Sequence, residues 1–261
     1  MYKRQGTAAL LAAAALGLLA GLAVASLRRP NVPAFARYSH VRADGVQAQI
    51  AQIDTDYILL IGDSHIERLF LPELCGLPTV SLGLGGARLS DLQAMVAKLA
   101  LARTPRVIVL TAGTNDMLAS PEANAAALQR FADDARALTA SLRGLGAPVL
   151  VTDIPRVRPA RQRLPAGAAE RFNAALAPVC AEGECRFASL FVDSEWAGGS
   201  AFNPDGVHLT DYRAVYRRGE WQLCGAVASG AALASSGSDG VDGGLLPRSG
   251  RHRSDQDPRP R

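Results

Sequence analysis

Between residues 57 and 191 the chain alternates short apolar runs with longer stretches of helical periodicity, and no other feature narrows the fold as much. The runs are YILLI (57–61), PTVSL (78–82), RVIVL (106–110), PVLVT (148–152) and CRFASLF (185–191). Apolar residues at consecutive positions suit strands covered on both faces. Between them, Leu89, Leu92, Val96 and Leu99 recur at helical spacing, and Leu128, Phe131, Ala135, Leu138 and Leu142 form a second stripe. For this second helix, over 122–143, Ser120 is the expected N-cap, Pro121 sits in the first turn and Gly144 marks the exit. Strands alternating with helices predict right-handed crossovers and an α/β fold: a parallel sheet of about five strands with helices on both faces.

The ends differ from this core. Residues 7–27, TAALLAAAALGLLAGLAVASL, carry no charge and follow Lys3 and Arg4. About 20 apolar residues suffice for a helix to cross a bilayer, so an N-terminal hydrophobic helix over 1–27 is expected, as signal peptide or membrane anchor. Arg28 and Arg29 follow Ala23-Val24-Ala25 at once and the run is long for a signal peptide, which favours an anchor that is kept. Residues 28–55 are expected to hold a linker, over 30–44, and a first helix. The globular domain then covers 56–225, and 226–261, rich in Ser, Gly, Pro and charge, reads as a disordered tail. With 48% hydrophobic residues, a chain of 261 residues can bury one full core. A net charge of +4 and only 5% aromatics argue against a nucleic-acid partner.

Four cysteines, Cys75, Cys180, Cys185 and Cys224, allow three disulfide connectivities. In an extracytoplasmic domain Cys180 with Cys185 closes a short loop, and Cys75 with Cys224 is the second candidate bridge; buried free thiols are the alternative. Without paired Cys-x-x-Cys units no zinc site is expected.

In doubly wound folds ligands bind beyond the carboxyl ends of the strands. There the chain places Gly62-Asp63-Ser64, Gly83 to Gly86, Ala112 to Asp116 and Asp153. A serine nucleophile at Ser64 needs a base, an orienting carboxylate and oxyanion donors. Of the four histidines, His40 lies in the expected linker and His252 in the tail, and His65 is badly placed because neighbouring side chains diverge at a strand end. That leaves His208, with Asp205 three residues before it in NPDGVHLT. A dinucleotide site fails on spacing, since counting from Gly83 the Gly-x-Gly-x-x-Gly pattern meets Arg88 where a glycine or alanine belongs.

Gly62-Asp63-Ser64, Gly86 in GLGG, Gly113-Thr114-Asn115-Asp116 and Asp205-Gly206-Val207-His208, in this order, resemble the four blocks of the SGNH (GDSL-type) hydrolase family. The resemblance covers roughly 56–225. It implies a flavodoxin-like three-layer α/β/α sandwich and ester hydrolysis without a cofactor. Ser64 would attack, His208 would serve as base and then acid, and Asp205 would orient it. The amides of Ser64 and Gly86 and the side chain of Asn115 would form the oxyanion hole. His65 stands where the family name implies leucine, a variant familiar among members acting on carbohydrate esters. The expected substrate is therefore a small acyl ester, acetyl above all, on a small molecule or glycan outside the cytoplasm. The alternatives are an acyltransferase, a lipid esterase or thioesterase with the same triad, or a glycan-binding module without catalysis. Gly219 falls where the family has a final helix and puts that helix in question.

Overall fold

The computed structural model describes residues 34–120, 122–158, 164–181, 185–191 and 203–225. The expected signal peptide or anchor (1–27), the tail (226–261) and Pro121 lie outside the described residues. Among the described residues no helix is long and apolar enough to cross a membrane.

Strands β1 (Ile58–Gly62), β2 (Glu73–Leu74), β3 (Leu77–Gly83), β4 (Val107–Thr111), β5 (Val149–Thr152) and β6 (Arg186–Ala188) form one sheet in the order β2-β3-β1-β4-β5-β6. All pairings are parallel except β2 with β3. The sixth strand was not expected: β2 is two residues long and shows no period. It joins β3 through Cys75-Gly76, both at positive φ (56° and 75°), as tight two-residue hairpins demand.

Burial on both faces explains the unbroken apolar runs. In β1, Leu59 and Ile61 enter one core and Ile58 and Leu60 the other. The larger core lies under α1 (Ala34–Ile50), α3 (Leu89–Val96), α5 (Ala125–Arg143) and α6 (Ala168–Val179). The smaller lies under α2 (Ser64–Glu67) and α7 (Tyr212–Arg218). Helix α4 (Thr114–Ala119) follows β4. From β1 the chain crosses to β3 on one side and then to β4 on the other, so a switch-point crevice opens beyond the carboxyl ends of β1 and β4.

Several local expectations need correction. The stretch 34–44, expected as linker, is the first part of α1. Only Ala43, Val46 and Ile50 of its 17 residues are buried, so the apolar stripe is too thin to stand out. Arg42 ties the helix to β3 by donating from Nε to the Gly83 carbonyl (3.1 Å) and from Nη2 to that of Ser81 (3.3 Å). The N-cap of α5 is Asn124, whose side chain accepts the Ala127 N–H, while Ser120 closes α4. Helix α3 ends before Leu99, which packs against the core from beyond it. The final helix exists: α7 ends at Gly219 and helical backbone resumes at 220–225. A Cβ on Gly219 would meet Leu190 Cδ2 at 2.3 Å, so this glycine allows close packing.

Disulfides join Cys75 to Cys224 and Cys180 to Cys185. The first ties the helical stretch 220–225 to the β2–β3 hairpin across 149 residues. Cys75, Glu220 and Cys224 cluster at metal-ligand distance, but with both sulfurs in the disulfide this group offers a metal no thiolate.

Candidate active site

The turn after β1 is built by close approach. Gly62 and Gly83 are register partners at the ends of β1 and β3. A Cβ on Gly83 would lie 2.0 Å from the Glu67 nitrogen, and one on Gly62 would lie 2.0 Å from the Thr111 carbonyl oxygen. Only glycine lets the turn bearing Ser64 rest directly on the neighbouring strand ends. Spacing alone singles out neither residue for this duty. Asp63 then caps α2: its Oδ1 accepts the His65 N–H at 2.9 Å, and Ser64 becomes the first helical residue. Its Oδ2 has no hydrogen-bond partner among the described residues. Burial drives this carboxyl up to about 7, against the pull of the His65, Thr114 and Gly113 amides.

The late loop reaches the same point from the other side. The Gly206 N–H donates to the Asn203 carbonyl (2.9 Å), and the Asn203 N–H donates to that of His208 (2.8 Å). Asp205 Oδ1 accepts the N–H groups of Val207 (2.9 Å) and His208 (3.0 Å), leaving Oδ2 2.7 Å from His208 Nδ1. His208 Nε2 lies 2.8 Å from Ser64 Oγ. With the Nδ1–H donated to Asp205, Nε2 is free to accept the serine proton. Although partial burial works against its charge, the Asp205 carboxyl is held down at about 2 by the His208 ring and the two amides. Ser64, His208 and Asp205 thus form one continuous hydrogen-bonded line.

The glycine and asparagine segments meet beside it. Gly86 has φ +81°, and a Cβ there would touch nothing within 4 Å, so backbone conformation selects the glycine. Its N–H donates to no acceptor among the described residues. The Ser64 N–H belongs to the first turn of α2, where no partner exists within the helix. Asn115 Nδ2 donates to the Ala87 carbonyl (2.9 Å), and the Leu89 N–H donates to Asp116 Oδ2 (3.2 Å), so α4 braces the 86–89 loop. The asparagine amide has a second N–H beyond the one given to Ala87. A cavity of about 140 Å³, lined by Arg88, Asp116, Arg130, Phe131 and Phe172, touches neither Ser64 nor His208.

His65 does not contact Ser64 Oγ. Its ring is 1% exposed, and Nδ1 lies 2.9 Å from the hydroxyl of Tyr212. Tyr212 is a site residue that the sequence reading missed. The available signal was Asp211, an N-cap that places Tyr212 first in the closing helix.

The sequence model of the GDSL-like Lipase/Acylhydrolase family matches residues 61–212. Among solved structures the chain is similar to a Streptococcus pneumonia protein provisionally described as a platelet activating factor. That likeness has a TM-score of 0.60 at 18% identity over 81% of this chain and 99% of that one. A lipase/acylhydrolase from Enterococcus faecalis gives 0.52 at 17%, over 66% and 96%. A catalytic mutant of an acetylxylan esterase from Geobacillus stearothermophilus gives 0.52 at 14%, over 65% and 94%. At these identities the likeness is one of fold. No curated protein matches the chain. The family match begins inside β1, takes in the four segments beyond the strand ends together with Asp205 and His208, and closes on Tyr212: the chain belongs to the GDSL-like lipase/acylhydrolase family, whose members hydrolyse acyl esters.

Proposed function

We propose that the protein is an exported serine esterase that removes small acyl groups, acetyl foremost, from a glycan through an acyl-enzyme. The observation that carries the reading is the line Ser64 Oγ, His208 Nε2, His208 Nδ1, Asp205 Oδ2, with gaps of 2.8 and 2.7 Å. His208 takes the proton as Ser64 Oγ attacks the ester carbonyl. Asp205 holds the ring in the needed tautomer and offsets its positive charge. The oxyanion faces the N–H groups of Ser64 and Gly86 and the free N–H of Asn115, and each such donor contributes about 3 kcal/mol to lowering the barrier. His208 returns its proton to the departing alcohol, the acyl group stays on Ser64, and a water activated by the same ring releases it.

Two disulfides in a small domain suit an oxidising compartment, and the uncharged stretch 7–27 suits export with retention at a membrane. Acetyl xylan esterases share the fold, which supports an acetylated glycan as substrate. The test sets acetylated sugars and polysaccharides beside short- and long-chain p-nitrophenyl esters, with Ser64→Ala as control. Turnover that depends on Ser64 and is fastest on acetyl sugars is expected. Preference for long acyl chains would replace the glycan with a lipid, and activity in S64A equal to the parent would sink the esterase reading.

A further inference from the structure

His65 is a buried histidine that the proposed reaction does not use. Burial and the nearby His208 and Arg68 hold its ring down at about 3, so it stays neutral wherever the protein works. Among the described residues its Nε2 has no partner, and the bond from Nδ1 to the Tyr212 hydroxyl (2.9 Å) is its one side-chain hydrogen bond. A leucine would fill the space without burying an unpaired nitrogen, so what the imidazole adds is that bond.

The bond leads to the other half of the site. The Tyr212 hydroxyl also accepts the N–H of Leu209, the residue directly after His208, at 3.1 Å. The path from His65 to Tyr212 to the Leu209 amide therefore joins the neighbour of Ser64 to the neighbour of His208. The reacting pair is 144 residues apart in sequence, and their own 2.8 Å contact breaks during each turnover. The second path is untouched by the reaction. Nothing titrates in it near neutral pH, because burial also pushes the Tyr212 hydroxyl up to about 12. Ring packing stiffens it: Tyr212 meets His65 edge-on with centroids 5.5 Å apart, and His208 is tilted over His65 at 5.7 Å.

We propose that His65 and Tyr212 are positioning residues, a hydrogen-bonded clamp that holds the His208 backbone at a fixed distance from Ser64. The proposal rests on the reading of Ser64 and His208 as the reacting pair. Leucine at 65 cannot make the link. Asparagine can, since its amide reaches the place of Nδ1 and both donates and accepts.

The test compares His65→Leu, Tyr212→Phe, the double variant and His65→Asn on p-nitrophenyl acetate, with melting temperature and Leu209 amide exchange measured on each. In H65L and Y212F kcat is expected to fall ~10-fold with KM within about twofold, because orientation and not affinity is lost. The double variant is expected to be no slower than either single one, since both break the same path. H65N is expected to return to within about threefold of the parent. H65L, relieved of an unpaired buried nitrogen, is expected to melt no lower than the parent, so its slowness cannot be assigned to unfolding. Leu209 amide exchange is expected to quicken in Y212F and H65L and to stay slow in S64A. An active S64A would remove the underlying reaction and leave the exchange result standing. The clamp is overturned if kcat in H65L and Y212F stays within twofold of the parent, if their losses add, if H65N is as slow as H65L, or if Leu209 exchange does not change.

Discussion

The two halves of the active site are held in opposite ways. The turn Asp63-Ser64-His65 is embedded between strand ends, with Asp63 fully buried and His65 1% exposed. The loop carrying Asp205 and His208 lies on the solvent side, where the two side chains are 43% and 16% exposed. The buried half is fixed by packing that tolerates no extra atom at Gly62 or Gly83. The outer half is fixed by its own hydrogen bonds around Asp205. The consequence is electrostatic: burial drives the groups flanking Ser64 toward their neutral forms, while hydrogen bonding keeps Asp205 ionised down to about 2. Charge is thus confined to the side of the serine from which the proton is taken.

The sharpest way to break this comparison is at the reacting atoms. Ser64→Ala and His208→Ala should each lower kcat by ~10⁴-fold, and together by hardly more, because the two act as one unit. Steady-state rates on p-nitrophenyl acetate check this, and an independent, additive pair of losses would separate the halves. Asp205→Asn should lower kcat by ~10³-fold by disturbing the tautomer of His208 while leaving Ser64 intact. The serine's reaction with a phosphonate ester, followed by mass, should slow in parallel.

Packing distinguishes the glycines. Gly83→Ala must displace the Glu67 backbone and should destabilise by about 3 kcal/mol. Gly86→Ala meets open space and only a strained φ of +81°, so about 1 kcal/mol is expected. Denaturant melts of both variants measure the gap, and equal losses would mean that the turn around Ser64 is not tightly seated.

The flanking groups should bend stability against pH in opposite directions. Asp63 has a folded value of about 7 against an ordinary 3.8, so its contribution is present at acid pH and is lost as pH rises through 7. Asp63→Asn should therefore gain about 2 kcal/mol on the parent between pH 5 and pH 8. His65, at about 3 against 6.5, contributes above pH 6.5 and loses that contribution as pH falls toward 3. His65→Leu should flatten the acid limb by about 2 kcal/mol between pH 7 and pH 4.5, measured by urea midpoint.

Strand runs, the helical stripe of α5 and the four segments beyond the strand ends follow from the chain itself, because alternating burial and backbone bending leave local marks on residue choice. The pairing of Asp205 with His208 follows too, since three residues of one loop set it. Helix α1 does not, for a helix with three buried residues shows almost no period. Nor do β2, too short to show a period, the N-cap at Asn124, where Ser120 competes four residues earlier, or the close-packing glycines, which depend on atoms of other elements. Both disulfides join the cysteines the spacing offered as candidates, but the choice among three connectivities is made by the fold. His65 marks the boundary most clearly. Its place beside Ser64 excludes it as the base for that serine, because adjacent side chains diverge. Its partner is a tyrosine 147 residues away, brought close only when α7 packs under the sheet. Local chemistry is written in neighbouring residues, whereas the distance between Ser64 and His208 exists only once the two sides of the sheet have been covered.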